Sequence, residues 1–254
     1  LKTRRPFLHI FGGICLVGAN LTFFSALATI PLADCSAIFF IAPLLITAMS
    51  AFFLKEKVGL RRWLALLVGM VGVLLIIKPG SINFEWAILL PLVAAIAYSI
   101  KNIITRNMGL KETAVTMAFY LHMTFIIACL VMGLIFGDGR FSENFNPAAE
   151  FIFRAWILPT WEMVLVIFVA GIGSAFGGYF ISQAYRNSAA SIIAPFEYLT
   201  LVLAIFWGYF IWGEIPDSMS FIGIILIIVS GVFVAVREHH FKIVPTAKRL
   251  SGRR

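Results

Sequence analysis

The chain has 254 residues, 61% of them hydrophobic and only 13% charged, with a formal net charge of +8. A soluble domain is roughly half apolar and about a quarter charged, so this composition excludes an ordinary water-soluble globule and points to lipid as the solvent. The basic excess would suit a nucleic-acid binder if it were clustered, but the Lys and Arg residues stand in short gaps between apolar runs, the pattern of membrane-orienting charge, and no nucleic-acid partner is expected.

Crossing a hydrocarbon core about 30 Å thick takes roughly 17 to 25 apolar residues in a helix. Runs of that kind cover residues 7–29, 33–54, 61–78, 86–105, 114–136, 159–182, 190–212 and 218–236. The fold class expected is therefore all-α, a polytopic integral membrane protein of about eight transmembrane helices. The first run begins at Phe7 and is longer than a signal-peptide core of about 7 to 15 residues, so no separate signal peptide is expected. A start at Leu1 rather than Met makes a fragment or a processed chain the expectation. Short connectors require neighbouring helices to run antiparallel. The long one, Gly137 to Thr160, is polar and reads as a solvent-exposed excursion.

Placing the N-terminal residues inside puts every basic residue except Lys78, Arg140 and Arg154 on the cytoplasmic side, with both termini cytoplasmic. The basic tail from His239 to Arg254 reads as a disordered end that reinforces this orientation, with contact to anionic lipid headgroups as the alternative. Cys15, Cys35 and Cys129 lie in or beside apolar runs without metal-ligand spacing, so no disulfide framework, zinc site, other metal or cofactor is expected.

Sliding the chain along itself brings Ala26 onto Ala184, Phe52 onto Phe210 and Glu56 onto Glu214; after one inserted residue Gly72 falls on Gly231. The first glutamate turn, Lys55 to Arg62, is cytoplasmic on the topology above and the second, Gly213 to Asp217, is external. The copies are then inverted structural repeats, residues 1–80 with three helices and residues 81–237 with five, followed by the tail 238–254. Inverted repeats are a recurring plan of secondary transporters, because two equivalent halves that exchange conformations open one central site to either side in turn.

The stretches FFSALATIPLADCSAIFFIAPLL with FFLKEKVGLRRWLALLVGMVGVLLI, and AYRNSAASIIAPFEYLTLVLAIFWGYFIWGEIPD with GVFVAV, resemble the drug/metabolite transporter superfamily in its EamA-like branch. The resemblance covers nearly the whole chain. It implies two inverted five-helix units, from which this sequence departs by showing three spans before the second unit, as though the first two helices were missing. It also implies transport of small polar metabolites such as amino acids, nucleotide-type compounds or vitamins, in the manner of bacterial riboflavin or S-adenosylmethionine uptake or of metabolite export. A bacterial inner-membrane location, protons as the coupling ion and a homodimer are expectations of the same rank.

Ionisable groups at membrane depth usually face a bundle interior or a water-filled path. Glu197 is the sharpest candidate, as a substrate-amine or proton site, against a structurally paired or snorkelling carboxylate. Pro195 just before it, and Pro43 in IAPLL, mark helix kinks that bare carbonyls. Tyr198, Tyr98, Gln183, Tyr185, Asn20 and Ser25 are candidate polar wall residues. His122 beside Tyr120 reads as a ligand or proton-relay group or as a packing histidine. Tyr98 and Lys101 share a helix face; Lys101 reads as a group that attracts an anionic substrate or, with no such role, as a snorkelling cytoplasmic anchor, the latter being the expectation. The segment GIGSAFGG, Gly171 to Gly178, lacks dinucleotide-binding spacing and predicts a close helix contact through Gly173 and Gly177. Trp86, Trp156, Trp161, Trp207 and Trp212 fit interfacial belts. A membrane-embedded enzyme would need converging His, Asp or Cys groups, and His9, His122, His239 and His240 are scattered without HExxH or GxSxG. The expectation is a secondary transporter and not an enzyme; a non-transporting accessory subunit is the rival.

Overall fold

The computed structural model describes residues 3, 5–55, 59–78, 86–140, 147–188, 193, 198–213 and 215–240, with the side chains of 62, 110, 148, 149, 198, 199, 201, 202, 204 and 234–240 left out. The described residues are helical throughout their regular structure: α1 Pro6–Ala26, α2 Leu32–Phe39, α3 Ala42–Phe53, α4 Leu60–Ile77, α5 Leu90–Met108, α6 Ala114–Phe136, α7 Pro147–Phe153, α8 Trp161–Asn187, α9 Tyr198–Trp212 and α10 Ser218–His240. Five stretches are long and apolar enough to cross a membrane, namely Pro6–Ala26, Leu32–Phe53, Trp86–Met108, Ala114–Phe136 and Trp161–Asn187. Trp63–Ile77 and Ser218–Phe233 are shorter apolar helices. Each apolar run of the sequence thus contains a helix, and the chain is all-helical as expected.

Local chemistry sets the ends. Thr113 Oγ1 accepts the Thr116 N–H at 3.1 Å to start α6, and Asp217 Oδ1 accepts the Ser220 N–H at 2.8 Å to start α10. Lys78 closes α4 in the left-handed region (φ 47°) with its N–H on the Leu74 carbonyl. The second run is broken between α2 and α3: Pro43 stands in the first turn of α3, has no N–H for the Phe39 carbonyl, and the chain turns at Phe40 and Ile41.

The main core interlocks α2, α3, α4, α5 and α10 through Ile38, Ile41, Leu44, Val73, Ile76, Ala95, Ile224 and Ile227. Its tightest seam is between α4 and α10. A Cβ on Gly72 would lie 2.7 Å from the Gly223 carbonyl oxygen, and one on Gly223 would lie 2.5 Å from the Gly72 oxygen, so only glycine lets these backbones meet. Gly69 stands beside Ser230, Gly72 beside Gly223, and Lys78 pairs with Asp217, so the two helices run antiparallel. On the other side α1 packs between α5 and α6, with Gly12 against Ile104 and Gly13 against Thr124.

One expectation is corrected and one is refined. Residues 154–160 of the connector are exposed as expected, but α7 packs against the end of α6, with Phe153 edge-on to Phe136 at 5.0 Å, the Trp156 ring over Gly133 and the Trp156 N–H on the Gly137 carbonyl. The predicted contact through Gly173 and Gly177 is absent among the described residues, because a Cβ at either would meet nothing within 4 Å. It is Gly178 that takes a neighbour, the His122 ring.

Candidate functional site

α5 lies between α1 and α3, which buries residues that a sequence reading leaves near a membrane surface. Lys101 is 4% exposed and Asn102 is fully buried. The Lys101 ammonium donates to Asn102 Oδ1 at 3.0 Å and stands 5.6 Å from the centroid of the Tyr98 ring. The snorkelling role expected for Lys101 is thereby overturned: two further helical turns separate it from the end of α5 at Met108, and the charge stays inside the bundle. An ammonium held in a protein interior costs several kcal/mol unless hydrogen bonds and counter-charge compensate it, roughly the size that marks such groups as functional.

α8 supplies the facing wall. Gly178, Ser182 and Tyr185 follow the i, i+4, i+7 spacing and share one face. Tyr185 is fully buried and packs with Ile46 of α3 and Ile103 of α5, where Met49, Tyr98 and Ile193 join it. The Arg106 guanidinium reaches towards the Arg186 carbonyl at 3.5 Å, and both helices end near Glu112, so α5 and α8 run side by side in the same direction. One turn back from Arg106 and Arg186 stand Asn102 and Ser182 on their respective helices. Asn102 Nδ2 and Ser182 Oγ are buried, and neither has a hydrogen-bond partner among the described residues. At the break in the second run, Ser99 Oγ donates to the Ala42 carbonyl at 3.2 Å and holds α5 to the start of α3.

Tyr98 and Tyr185 are therefore brought together, and His122 lies two turns along the α8 stripe from Tyr185, against Gly178. His122 Nδ1 is 2.8 Å from the Ala118 carbonyl of its own helix. Asn20 donates to the Leu16 carbonyl at 2.9 Å within α1, and Ser25 is buried in the same helix. Gln183 follows Ser182 and is half-buried. Glu197 and Pro195 lie outside the described residues, as does the side chain of Tyr198 at the start of α9. Sequence reasoning underrated Lys101, whose signal was a charge inside an apolar run, and missed Ser182, which nothing in the sequence distinguishes from other small helix residues. Among the described residues no three His, Cys, Asp or Glu side chains converge on a metal-sized site.

Among the described residues, the Lys101 ammonium and the donors of Asn102 and Ser182 are thus buried within a helical bundle, and the comparisons with known proteins say to which family the chain belongs. The EamA-like transporter family matches residues 2–78 and 85–236. This chain belongs to the EamA-like transporter family. It is 29% identical over 238 residues to an S-adenosylmethionine uptake transporter of Rickettsia conorii, covering 94% of this chain and 74% of that protein. It is 25% identical over 232 residues to a riboflavin transporter of Vibrio cholerae, covering 91% and 71%. It is 28% identical over 223 residues to the pseudopaline exporter CntI of Pseudomonas aeruginosa, covering 87% and 70%. Among solved structures, one crystal structure superposes with a TM-score of 0.62 at 22% identity over 93% of this chain and 79% of the other, a likeness of fold. As a member of the EamA-like transporter family the chain is a membrane transporter of small metabolites and not an enzyme.

Proposed function

We propose that this EamA-like transporter is a secondary carrier for metabolites bearing an amino-acid carboxylate, with S-adenosylmethionine as the first substrate to test, and that the substrate binds between α3, α5 and α8. The observation that carries the reading is the buried Lys101 ammonium on α5 together with two buried donors, Asn102 Nδ2 on α5 and Ser182 Oγ on the adjacent α8, that have no hydrogen-bond partner among the described residues. Donors with no acceptor in a dry interior cost free energy until a ligand supplies one, and a carboxylate supplies several. S-adenosylmethionine has that carboxylate, whereas riboflavin has none. Tyr98 and Tyr185 form the aromatic wall, and Glu197 receives the substrate's amine. His122, Gln183, Tyr198 and Asn20 are secondary wall positions, and Pro43 and Pro195 mark the kinks that let the helices move.

Alternating access follows from two inverted units, residues 1–80 and 81–237, ahead of the tail 238–254. The antiparallel contact of α4 with α10 supports that reading, since corresponding helices of inverted copies must run oppositely. Both termini face the cytoplasm of a bacterial inner membrane, protons drive the cycle, and the carrier works as a homodimer.

The test is a thermal-shift titration of detergent-purified protein. S-adenosylmethionine at a hundredfold excess over Kd stabilises the folded state by about 2.7 kcal/mol, and Lys101→Gln abolishes that shift while the unliganded protein keeps a cooperative melt. A riboflavin shift that survives Lys101→Gln, with no response to S-adenosylmethionine, refutes the carboxylate reading.

A further inference from the structure

We propose that His9 and Glu112 form the proton-binding site of this carrier, an inference that rests on the transport reading above and gives its coupling a location. His9 lies in the first turn of α1 and is 2% exposed; Glu112 lies in the turn between α5 and α6 and is 4% exposed. The two are 103 residues apart in the chain and share no motif, and the fold alone puts them together at one end of the bundle. His9 Nε2 is buried with no hydrogen-bond partner among the described residues, and Glu112 Oε2 lies 3.8 Å away, just past hydrogen-bond length. The opposite carboxylate oxygen, Oε1, accepts from Thr3 Oγ1 at 2.8 Å. The imidazole ring is stacked on Tyr120 of α6 with centroids 4.8 Å apart, which fixes its plane.

A proton suits this gap better than a metal or an organic ligand. The imidazole offers one unpaired nitrogen, and the carboxylate beside it is held in place from its other side. With a proton on His9, the imidazolium and the Glu112 carboxylate attract and the pair closes, tying α1 to the α5–α6 turn. Without it, the charge attraction is gone and only the Nε2–H tautomer of the neutral ring can still donate to the carboxylate, so the tie is weakened.

The site also has a physical route to the substrate. The Glu112 backbone carbonyl accepts from Arg186 Nε at 2.8 Å, and Arg186 follows Tyr185 on the helix that carries Ser182. A shift of the α5–α6 turn is thereby a shift of the end of α8.

Among the described residues, few other charges face His9. From α6 the facing titratable group is Tyr120, and from α8 it is Arg186 by way of Glu112. From α5 come Arg106, which turns to the Arg186 carbonyl, and Lys101, which is held by Asn102. Before α1 stands Arg5. The start of α2 and the turn Trp86–Leu89 pack at the far end of α1, around Ala26, and bring Asp34 there. α7, with Glu150, packs beside Phe136 at the far end of α6.

The experiment has two readouts. Histidine-labelled NMR of the whole protein in detergent follows His9, assigned with His9→Gln, from about pH 5 to about pH 9, a range that brackets the ordinary histidine value near 6.5. The result expected is a titrating His9 whose curve changes in Glu112→Gln. A His9 that keeps one protonation state across the range overturns the proposal, whatever the substrate. The second readout is uptake of labelled S-adenosylmethionine into proteoliposomes. His9→Gln is expected to abolish uptake driven by a proton gradient while exchange of labelled for unlabelled compound persists. Its affinity for the compound is expected to lose a pH dependence of about tenfold, the usual size of a coupling between two sites. Gradient-driven uptake at the wild-type rate in His9→Gln overturns the proposal; a titrating His9 in a protein that neither binds nor exchanges S-adenosylmethionine supports the proton site and refutes the substrate reading instead.

Discussion

The seam between α4 and α10 and the free face of α8 use the same residue to opposite ends. In the seam, Gly72 and Gly223 meet so closely that each backbone oxygen occupies the space a methyl group would need. On α8, Gly171, Gly173 and Gly177 have no neighbour among the described residues within 4 Å of where a Cβ would stand, and Val166, Phe168 and Phe176 around them are more than half exposed. Glycine spaced for close approach is thus a permission and not a contact. Whether it is used depends on a second helix arriving with its own small residue at the same height. The seam also joins one helix from each of the two proposed units, so it is where rigid packing would hold the halves together, while α8 keeps one working face and leaves the rest to lipid.

That contrast can be broken by substitution. Gly72→Ala should have the largest effect, a loss of about 1–3 kcal/mol from overpacking against backbone that has nowhere to go, read as a lower Tm in detergent. An unchanged Tm would mean that the seam opens without cost. Gly173→Ala should act in the opposite direction, gaining about 0.5–1 kcal/mol from helix propensity alone. A loss there instead would show a partner, such as a second copy of the chain, on the free face of α8.

The smallest effect belongs to the end of the seam. Lys78 at the close of α4 pairs with Asp217 at the start of α10, both partly exposed. The hydrogen bond from Lys78, with the Ser220 N–H second, holds the Asp217 carboxyl below the usual aspartate range. A depressed folded value means that the stabilisation is present above the unfolded value near 3.9 and is lost as the pH falls through the lower, folded one. Asn still caps a helix, so Asp217→Asn isolates the charge. It should cost less than about 1 kcal/mol at neutral pH, and the Tm difference from the unsubstituted protein should start to shrink below about pH 4 and vanish only once the pH is below the depressed folded value. A difference that persists there would assign the effect to the cap.

The two buried polar groups show how far the sequence could be read. Lys101 was visible as a charge within an apolar run, but its depth was not, because a lysine two turns from a helix end can snorkel unless neighbouring helices enclose it. Here α1 and α3 enclose α5. Ser182 and Asn102 gain meaning only from being buried without partners among the described residues on adjacent helices, and no spacing within either helix records that. His9 had been one of several scattered histidines; its partner Glu112 belongs to a turn that reads as a routine polar connector.

Apolar length, punctuation and the placement of charge determined by themselves that this chain is a helical membrane protein, where its helices run and that Pro43 interrupts one of them. These are local consequences of burying backbone polar groups in a medium without water, and each is written within some twenty residues of chain. The tertiary structure alone decided which glycines are contacts, that Lys101 is interior and that His9 faces Glu112. Such facts depend on the rotation and height of one helix against another, which are set by side-chain packing between segments far apart in the chain.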